Sequence, residues 1–255
     1  MTLSLQSGSG ISNLHRGIDI TVWQMNKSME KLASGLRINR ASDDPAGLVI
    51  SEQMRARIAS LNQEISNLSN QINKYETASS STLQLRSYLT EMRSLAVAAA
   101  NSGGNDAAMQ EAYADEANRL VDTYNDTIDS ASFGTQQLLD GSTGSVATVP
   151  YMGNIDLSTS EAAAAAIDTI DAEIERIDST IIDIGSTQKN YLESRRRSLQ
   201  VEAENITAAE SMIRDTDYAR EFSNFLKYQI SLQASMSLLA YRNLSDLTIA
   251  TLFDD

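Results

Sequence analysis

From residue 167 to residue 184 an isoleucine returns every three or four positions: Ile167, Ile170, Ile174, Ile177, Ile181 and Ile184, with Asp and Glu between them. Apolar residues at that alternating interval share one stripe of an α-helix. Six in unbroken succession require a second helix to cover them, as in a coiled-coil seam. The same interval carries Ile58, Leu61, Ile65, Leu68, Ile72 and Tyr75. After a skip at Tyr75–Ala78 it resumes through Ala78, Thr82, Leu85, Leu89, Met92, Ala96 and Ala99. Some forty helical residues make a rod of about 60 Å at about 1.5 Å per residue. The composition agrees, with only two Pro, four Phe and one Trp in 255 residues. The fold predicted is mainly α: a long antiparallel helical coiled-coil bundle with one small β-hairpin module and paired terminal helices.

The breaks divide this pattern. Ile11, Ile18, Met25 and Leu32 repeat at intervals of seven, joined by Leu14 and Val22, until Ser34-Gly35. Asn39 to Gly47 then contains Asp43-Asp44-Pro45, and Pro is favoured at the first position of a helix. A helix from Asp106 to about Ser130 follows the break Asn101-Ser102-Gly103-Gly104-Asn105, with Asp106 as its N-cap. Residues 134–160 differ in kind: Gly134, Gly141-Ser142-Thr143-Gly144, Pro150 and Gly153-Asn154 interrupt short apolar runs such as Val146 to Tyr151. They predict the hairpin. Beyond Ile184 the seam takes a four-residue step through Gln188 to Leu192, then continues to Leu199 and Ile206, like a stutter that locally unwinds a supercoil. Gly185 lies inside it. Gly185 and the skip at Tyr75–Ala78 are the two places where the sequence predicts that packing can shift by a small step. A last amphipathic stretch, Tyr218 to Leu252, carries Phe222, Phe225, Leu232, Met236 and Leu239. Both end stretches lack seams of their own within the chain. Isolated helices are marginal in water, so they are expected to become ordered against copies of themselves or a partner.

Composition narrows the function classes. A net charge of −14 and a pI near 4.5 disfavour nucleic acid, whose binding requires clustered cations. No apolar run is long enough to span a membrane, and the N-terminus shows no conventional signal peptide. Cysteine is absent, which removes thiol catalysis, disulfides and thiolate metal sites. His15, the single histidine, has no second imidazole to share a metal and reads as a surface or interface residue. No Gly-rich phosphate loop stands before Lys-Ser/Thr. Catalytic, cofactor and metal sites are all expected to be none. Asp156, Glu161, Asp168, Asp171, Glu173, Glu175, Asp178 and Asp183 face one Arg176 before Arg195-Arg196-Arg197 follows, a pattern of solvated helix faces or of charged contacts.

Three long motifs carry a resemblance. Leu32-Ala33-Ser34-Gly35-Leu36-Arg37-Ile38-Asn39-Arg40-Ala41-Ser42-Asp43-Asp44-Pro45-Ala46-Gly47-Leu48-Val49-Ile50 resembles the N-terminal signature of bacterial flagellins. Arg93-Ser94-Leu95-Ala96-Val97 with Asn101 looks like the end of their first rod helix. Glu204 to Ser211, continuing through Ile213-Arg214-Asp215-Thr216-Asp217-Tyr218-Ala219, with Gln229-Ile230 and Gln233-Ala234-Ser235, is similar to their C-terminal pattern. The hook–filament junction protein shares Ser42-Asp43-Asp44-Pro45, but Ala46 to Ile50 and Glu204 to Ser211 favour the filament subunit. A soluble coiled-coil binding module is the other class of reading.

The resemblance implies a structural subunit, not an enzyme, that self-polymerises into the flagellar filament, a passive helical propeller outside the cell. It implies terminal helices at 1–44 plus 212–255 forming an inner tube around a narrow channel, and a rod at 45–211. It also implies export by the flagellar type III apparatus, which suits the missing signal peptide. Further implied partners are a flagellin-specific chaperone, the filament cap and hook-associated junction proteins. Variable outer domains are replaced here by residues 140–160 alone. Arg37, Asn39, Asp43, Asp44, Arg93, Leu95, Arg214, Asp215 and Asp217 are the candidates for subunit contacts, with the Arg37–Ala46 loop beside Arg214, Asp215 and Asp217. Asp43-Asp44-Pro45 also reads as a plain helix N-cap. Glu91 stands where the family places an Arg used in recognition by a Toll-like receptor; Leu95 matches and Asp115 stands in for an acidic partner, but the reversed charge counts against recognition. The ending Leu252-Phe253-Asp254-Asp255 predicts a more acidic channel lining than the family's usual one.

Overall fold

The computed structural model describes the backbone of residues 3–101, 104 and 106–252, with side chains described for 12–101, 104, 106–242 and 244. Ile11's side chain, part of the 101–105 break and the Phe253–Asp255 ending therefore lie outside the described residues. Six α-helices account for most of the chain: α1 Leu3–Ser34, α2 Pro45–Ala99, α3 Ala107–Ser130, α4 Ser160–Ser186, α5 Ser194–Arg214 and α6 Tyr218–Leu252. A π-helix, Thr187–Glu193, joins α4 to α5. The strands β1 Ser132–Phe133 and β2 Gln136–Gln137 pair antiparallel, Ser132 with Gln137 and Phe133 with Gln136. The chain divides into two compact units, Met1–Ala59 with Ala203–Asp255, and Ser60–Glu202.

The second unit holds the extensive core. Leu85, Leu89, Met92 and Ala96 of α2, Val121, Tyr124 and Ile128 of α3, and Ile170, Ile177 and Ile184 of α4 form one buried cluster. Two ion pairs fix the α2–α4 register. Arg86 reaches Asp178 at 2.5 Å and Arg93 reaches Asp171 at 2.5 Å. Seven residues forward on α2 match seven backward on α4, so the helices run antiparallel.

The irregular step in the seam has a physical form. Ile184 and Leu192 are each 2% exposed, although eight residues separate them. An i→i+5 turn takes up one extra residue without breaking the helix, and the π-helix occupies this interval. The heptad then continues to Leu199. By contrast, α2 passes through Tyr75–Ala78 uninterrupted, with Ile72 and Ala78 both buried.

The hairpin is smaller than the sequence predicts and begins two residues earlier. Gly134, at φ +65°, makes its turn, a conformation that glycine adopts without a Cβ clash. Val146 to Tyr151 forms no strand pair beyond an isolated bridge between Asp140 and Thr148. The chain just after it is held by side chains instead. Asn125 accepts from the Met152 N–H and donates to its carbonyl, both at 2.9 Å. Asn118 does the same to Ile155, at 2.9 and 3.2 Å. Seven residues apart on α3, these amides satisfy backbone groups that a partner strand would otherwise serve. Leu138, Leu139, Val149 and Leu157 are thereby packed into the helical core.

In the first unit α1 and α6 lie against each other, so each terminal helix already has a partner within the chain. Val22, Met25 and Leu32 of α1 and Phe225, Leu232 and Leu239 of α6 are half-buried. Ser28, buried, donates to Glu221 at 2.6 Å across the pair.

Candidate functional site: the polar junction around Arg37 and Arg214

The junction begins where α1 stops. Gly35 has φ +73°, and a Cβ there would meet the Tyr218 hydroxyl at 2.8 Å. Glycine is thus required both for the left-handed turn and for the seat of Tyr218. Past this turn the chain runs briefly antiparallel to the α5–α6 connection. The Arg37 N–H donates to the Arg214 carbonyl at 2.6 Å, and the Thr216 N–H to the Gly35 carbonyl at 2.9 Å.

Arg37 uses its side chain on the same end of α5. Its guanidinium donates to the carbonyls of Ile213 at 2.5 Å and Met212 at 3.5 Å. The last carbonyls of a helix have no intrahelical donor, and a cation there complements the negative end of the helix dipole. Arg37 therefore closes the end of a helix at carbonyls 175 and 176 positions away in sequence. Arg214 ties that same end to α2 through Glu52 at 2.6 Å. The hydrogen bond from Arg214 holds the Glu52 carboxyl below its ordinary pKa.

The acidic candidates organise the local backbone. Asp43 accepts from the Asn39 and Arg40 N–H groups, each at 3.2 Å, and pairs with Lys27 at 2.9 Å. The Lys27 hydrogen bond, with the two amides, lowers the Asp43 pKa against the opposing effect of desolvation. Lys27 also lies 5.3 Å from the Trp23 ring centroid, a cation–π distance. Asp44 caps α2, accepting from the Gly47 N–H at 2.9 Å. A Cβ on Gly47 would meet Asp44 at 2.5 Å and Ile38 at 2.8 Å, so glycine permits this close capping turn. Asn39 donates to Ser34 at 3.0 Å. Asp215 accepts from the Ser211 hydroxyl at 2.5 Å, and Asp217 caps α6 through the Arg220 N–H at 3.1 Å.

Seven of the nine sequence candidates thus belong to one unit. Arg37, Arg214 and Asp215 come directly together, for Leu36 and Asp215 also form an isolated antiparallel bridge. Asp217 lines the same recess as Arg37 and Asp215. Asp43 and Asp44 serve the Asn39–Gly47 turn. Arg93 and Leu95 belong to the other unit, where Arg93 pairs with Asp171 and Leu95 packs on the core. Sequence reasoning missed Lys27, Glu52, Ser28 and Glu221. Each lies within a regular helix, where the helical pattern marks it only as a polar position.

Caps and backbone bonds thus tie the two terminal segments together at this junction. Comparison with known proteins gives the class. Residues 10–144 match the model of the bacterial flagellin N-terminal helical region, and residues 167–249 that of the bacterial flagellin C-terminal helical region. Flagellin of Halalkalibacterium halodurans is 38% identical, the match covering 91% of this chain and 92% of that one. Flagellin of Bacillus subtilis is 34% identical, over 85% and 88%. The flagellar filament 33 kDa core protein of Treponema phagedenis is 32% identical, over 93% and 95%. The chain belongs to the bacterial flagellin family. It is a structural subunit of the flagellar filament.

Proposed function

We propose that this subunit polymerises through its terminal helices into a filament outside the cell, after export by the flagellar type III apparatus in an unfolded state. The inner-tube segment is 1–44 plus 212–255, and 45–211 is the rod. In transit the chain would meet a flagellin-specific chaperone and the filament cap, and at the filament base the hook-associated junction proteins. The observation that carries this reading is the apolar surface left on the α1–α6 pair. Trp23 is 62% exposed, Ile230 65% and Tyr241 73%. Large apolar side chains so placed mark a surface awaiting a partner, and in an open helical polymer that partner is a different patch on the next copy. The polar junction from Arg37 to Asp44, with Arg214, Asp215 and Asp217, then fixes the angle at which each copy presents this surface.

Heat-dissociated subunits returned to assembly salt should form filaments visible by electron microscopy. A fixed small oligomer under all salts overturns the proposal. Limited proteolysis should remove the terminal segments of the free subunit first and spare them in the filament.

A further inference from the structure

A trough runs between residues 152–156 and the first turns of α4. Met152 and Ile155 line one wall, and Ala162, Ala165, Ala166 and Thr169 the other, around a volume of about 390 Å³. The four α4 residues fall at i, i+3, i+4 and i+7 and so share one helix face. Their small side chains leave room between the walls. The volume lies within the range of roughly 300–1,000 Å³ typical of ligand pockets.

The 152–156 wall offers backbone as well as side chains. Asn125 holds both backbone groups of Met152, and Asn118 those of Ile155. The two residues between them differ. Gly153 and Asn154 are exposed and neither makes a hydrogen bond. A Cβ on Gly153 would meet nothing within 4 Å. Exposed, unpaired N–H and C=O groups are what an added extended strand bonds to.

The rim is acidic. Asp156 lines the trough itself, and hydrogen bonds from Ser158 hold its carboxyl below the ordinary carboxylate pKa. On α3, Asp122 stands four residues after Asn118 and three before Asn125, hence on the face that grips the segment. On α4, Glu161 and Asp168 stand four before and three after Ala165 and flank that wall. All four carboxylates are exposed, and none forms an ion pair. The guanidiniums on these helices are already taken, Arg119 by Glu116 at 3.2 Å and Arg176 by Glu173 at 3.1 Å.

We propose that this trough binds an extended basic segment of another protein. Its small apolar side chains enter between Met152 and Ala166, while its Lys or Arg side chains meet Asp122, Asp156, Glu161 and Asp168. The occupant is basic because the rim carries uncompensated negative charge, which selects a partner of opposite sign. It is a peptide because Gly153 and Asn154 present backbone groups that a second backbone pairs in register. The site lies within one copy and does not rest on the polymerisation proposed above.

The probe is a labelled peptide of about seven residues alternating Lys with Val, titrated into the folded full-length subunit by fluorescence anisotropy. Binding should protect the Gly153 and Asn154 amides from exchange and should weaken as salt rises. Ala165→Phe fills the trough from an exposed position, and Asp122→Lys with Glu161→Lys reverses the rim; circular dichroism melting first checks that each variant folds. Each should weaken binding about tenfold or more, as should replacing Lys by Gln in the peptide. Absence of binding by the Lys–Val peptide overturns the proposal. So does an affinity that the reversed rim leaves unchanged. An affinity matched by a peptide alternating Lys with Gly overturns it too, since only a nonspecific acidic surface is then left. A subunit dimer that the peptide dissociates also overturns it, because the occupant is then a second copy.

Discussion

The two units of this chain close their surfaces to different degrees. Between Ser60 and Glu202, the helices α2, α3 and α4 and the segment between α3 and α4 bury a continuous apolar cluster, with Leu85, Leu89, Tyr124 and Ile170 fully covered. In the terminal unit, the only residues buried among those described are Ser28, Ile38, Gly47 and Ser51. Its order comes from helix pairing, caps and a few polar clasps, while its large apolar side chains stay in solvent. The Ser60–Glu202 unit closes its core within one copy, although Ile182 and Tyr191 stay exposed on it. The terminal unit is organised with almost nothing buried, which supports the proposed contact with further copies.

That contrast can be broken by substitution. Leu89→Ala, in the saturated core, should cost the free subunit about 2–5 kcal/mol by thermal or denaturant unfolding. Trp23→Ala should leave subunit stability within about 0.5 kcal/mol yet raise the concentration needed for filaments. Equal losses in subunit and filament for both variants would erase the distinction. Gly35→Ala comes next, because it forces a β-carbon into a left-handed residue and against Tyr218. It should cost about 1–2 kcal/mol, read as earlier proteolysis at the junction.

Asp44→Ala removes the cap on α2 and should cost the subunit about 1 kcal/mol. A much larger loss of assembly would assign Asp44 a contact between copies; a proportionate loss would leave it a cap. Gly185→Ala should be mildly stabilising, by up to about 1 kcal/mol, because a Cβ there meets nothing within 4 Å. Straightened or re-handed filaments under dark-field microscopy would assign the neighbouring π-helix a part in setting the supercoil, and an unchanged waveform would deny it. The smallest effect is electrostatic. Lys27 and two backbone amides lower the Asp43 pKa on folding, so this contribution is present above the unfolded value of 3.8 and fades as pH falls through the folded one. Amide exchange at Asn39 and Arg40 should quicken only on acidification below that range, and Lys27→Ala should move the onset upward.

How much of this was legible in advance depended on how local its cause was. Ser34-Gly35, Pro45 and Asp106 mark helix boundaries through local chemistry that each residue carries with it, and the structure breaks at these points. The four-residue step through Gln188 to Leu192 was visible as a break in the count and read as a stutter, whereas the structure takes it up as a π-helix in a helix that stays continuous. The long hairpin was over-read because the apolar run Val146–Tyr151 suggests strand, whereas its amides at Val146, Ala147 and Val149 donate to the Leu138 and Leu139 carbonyls, and Asn118 and Asn125 hold Ile155 and Met152 from a helix surface. Nothing in the local sequence distinguishes those two asparagine amides from solvated ones. In the junction, the clustered motifs were legible, but their partners Lys27 and Glu52 were not. An ion pair formed across 16 or 162 positions has no local periodic signature.

The single odd interval in the seam has a consequence for alignment. Two rods with uniform repeats fit together nearly as well after sliding by one repeat, like a toothed belt that has jumped. Here α4 and α5 carry one wide tooth, at Thr187–Glu193, between evenly spaced stretches. A slip of seven would set the wide tooth against a regular gap, and would leave Arg86 facing Asp171 while Arg93 faced Ala164. Only one offset seats every tooth. The chain therefore carries its own index mark for one alignment of these helices.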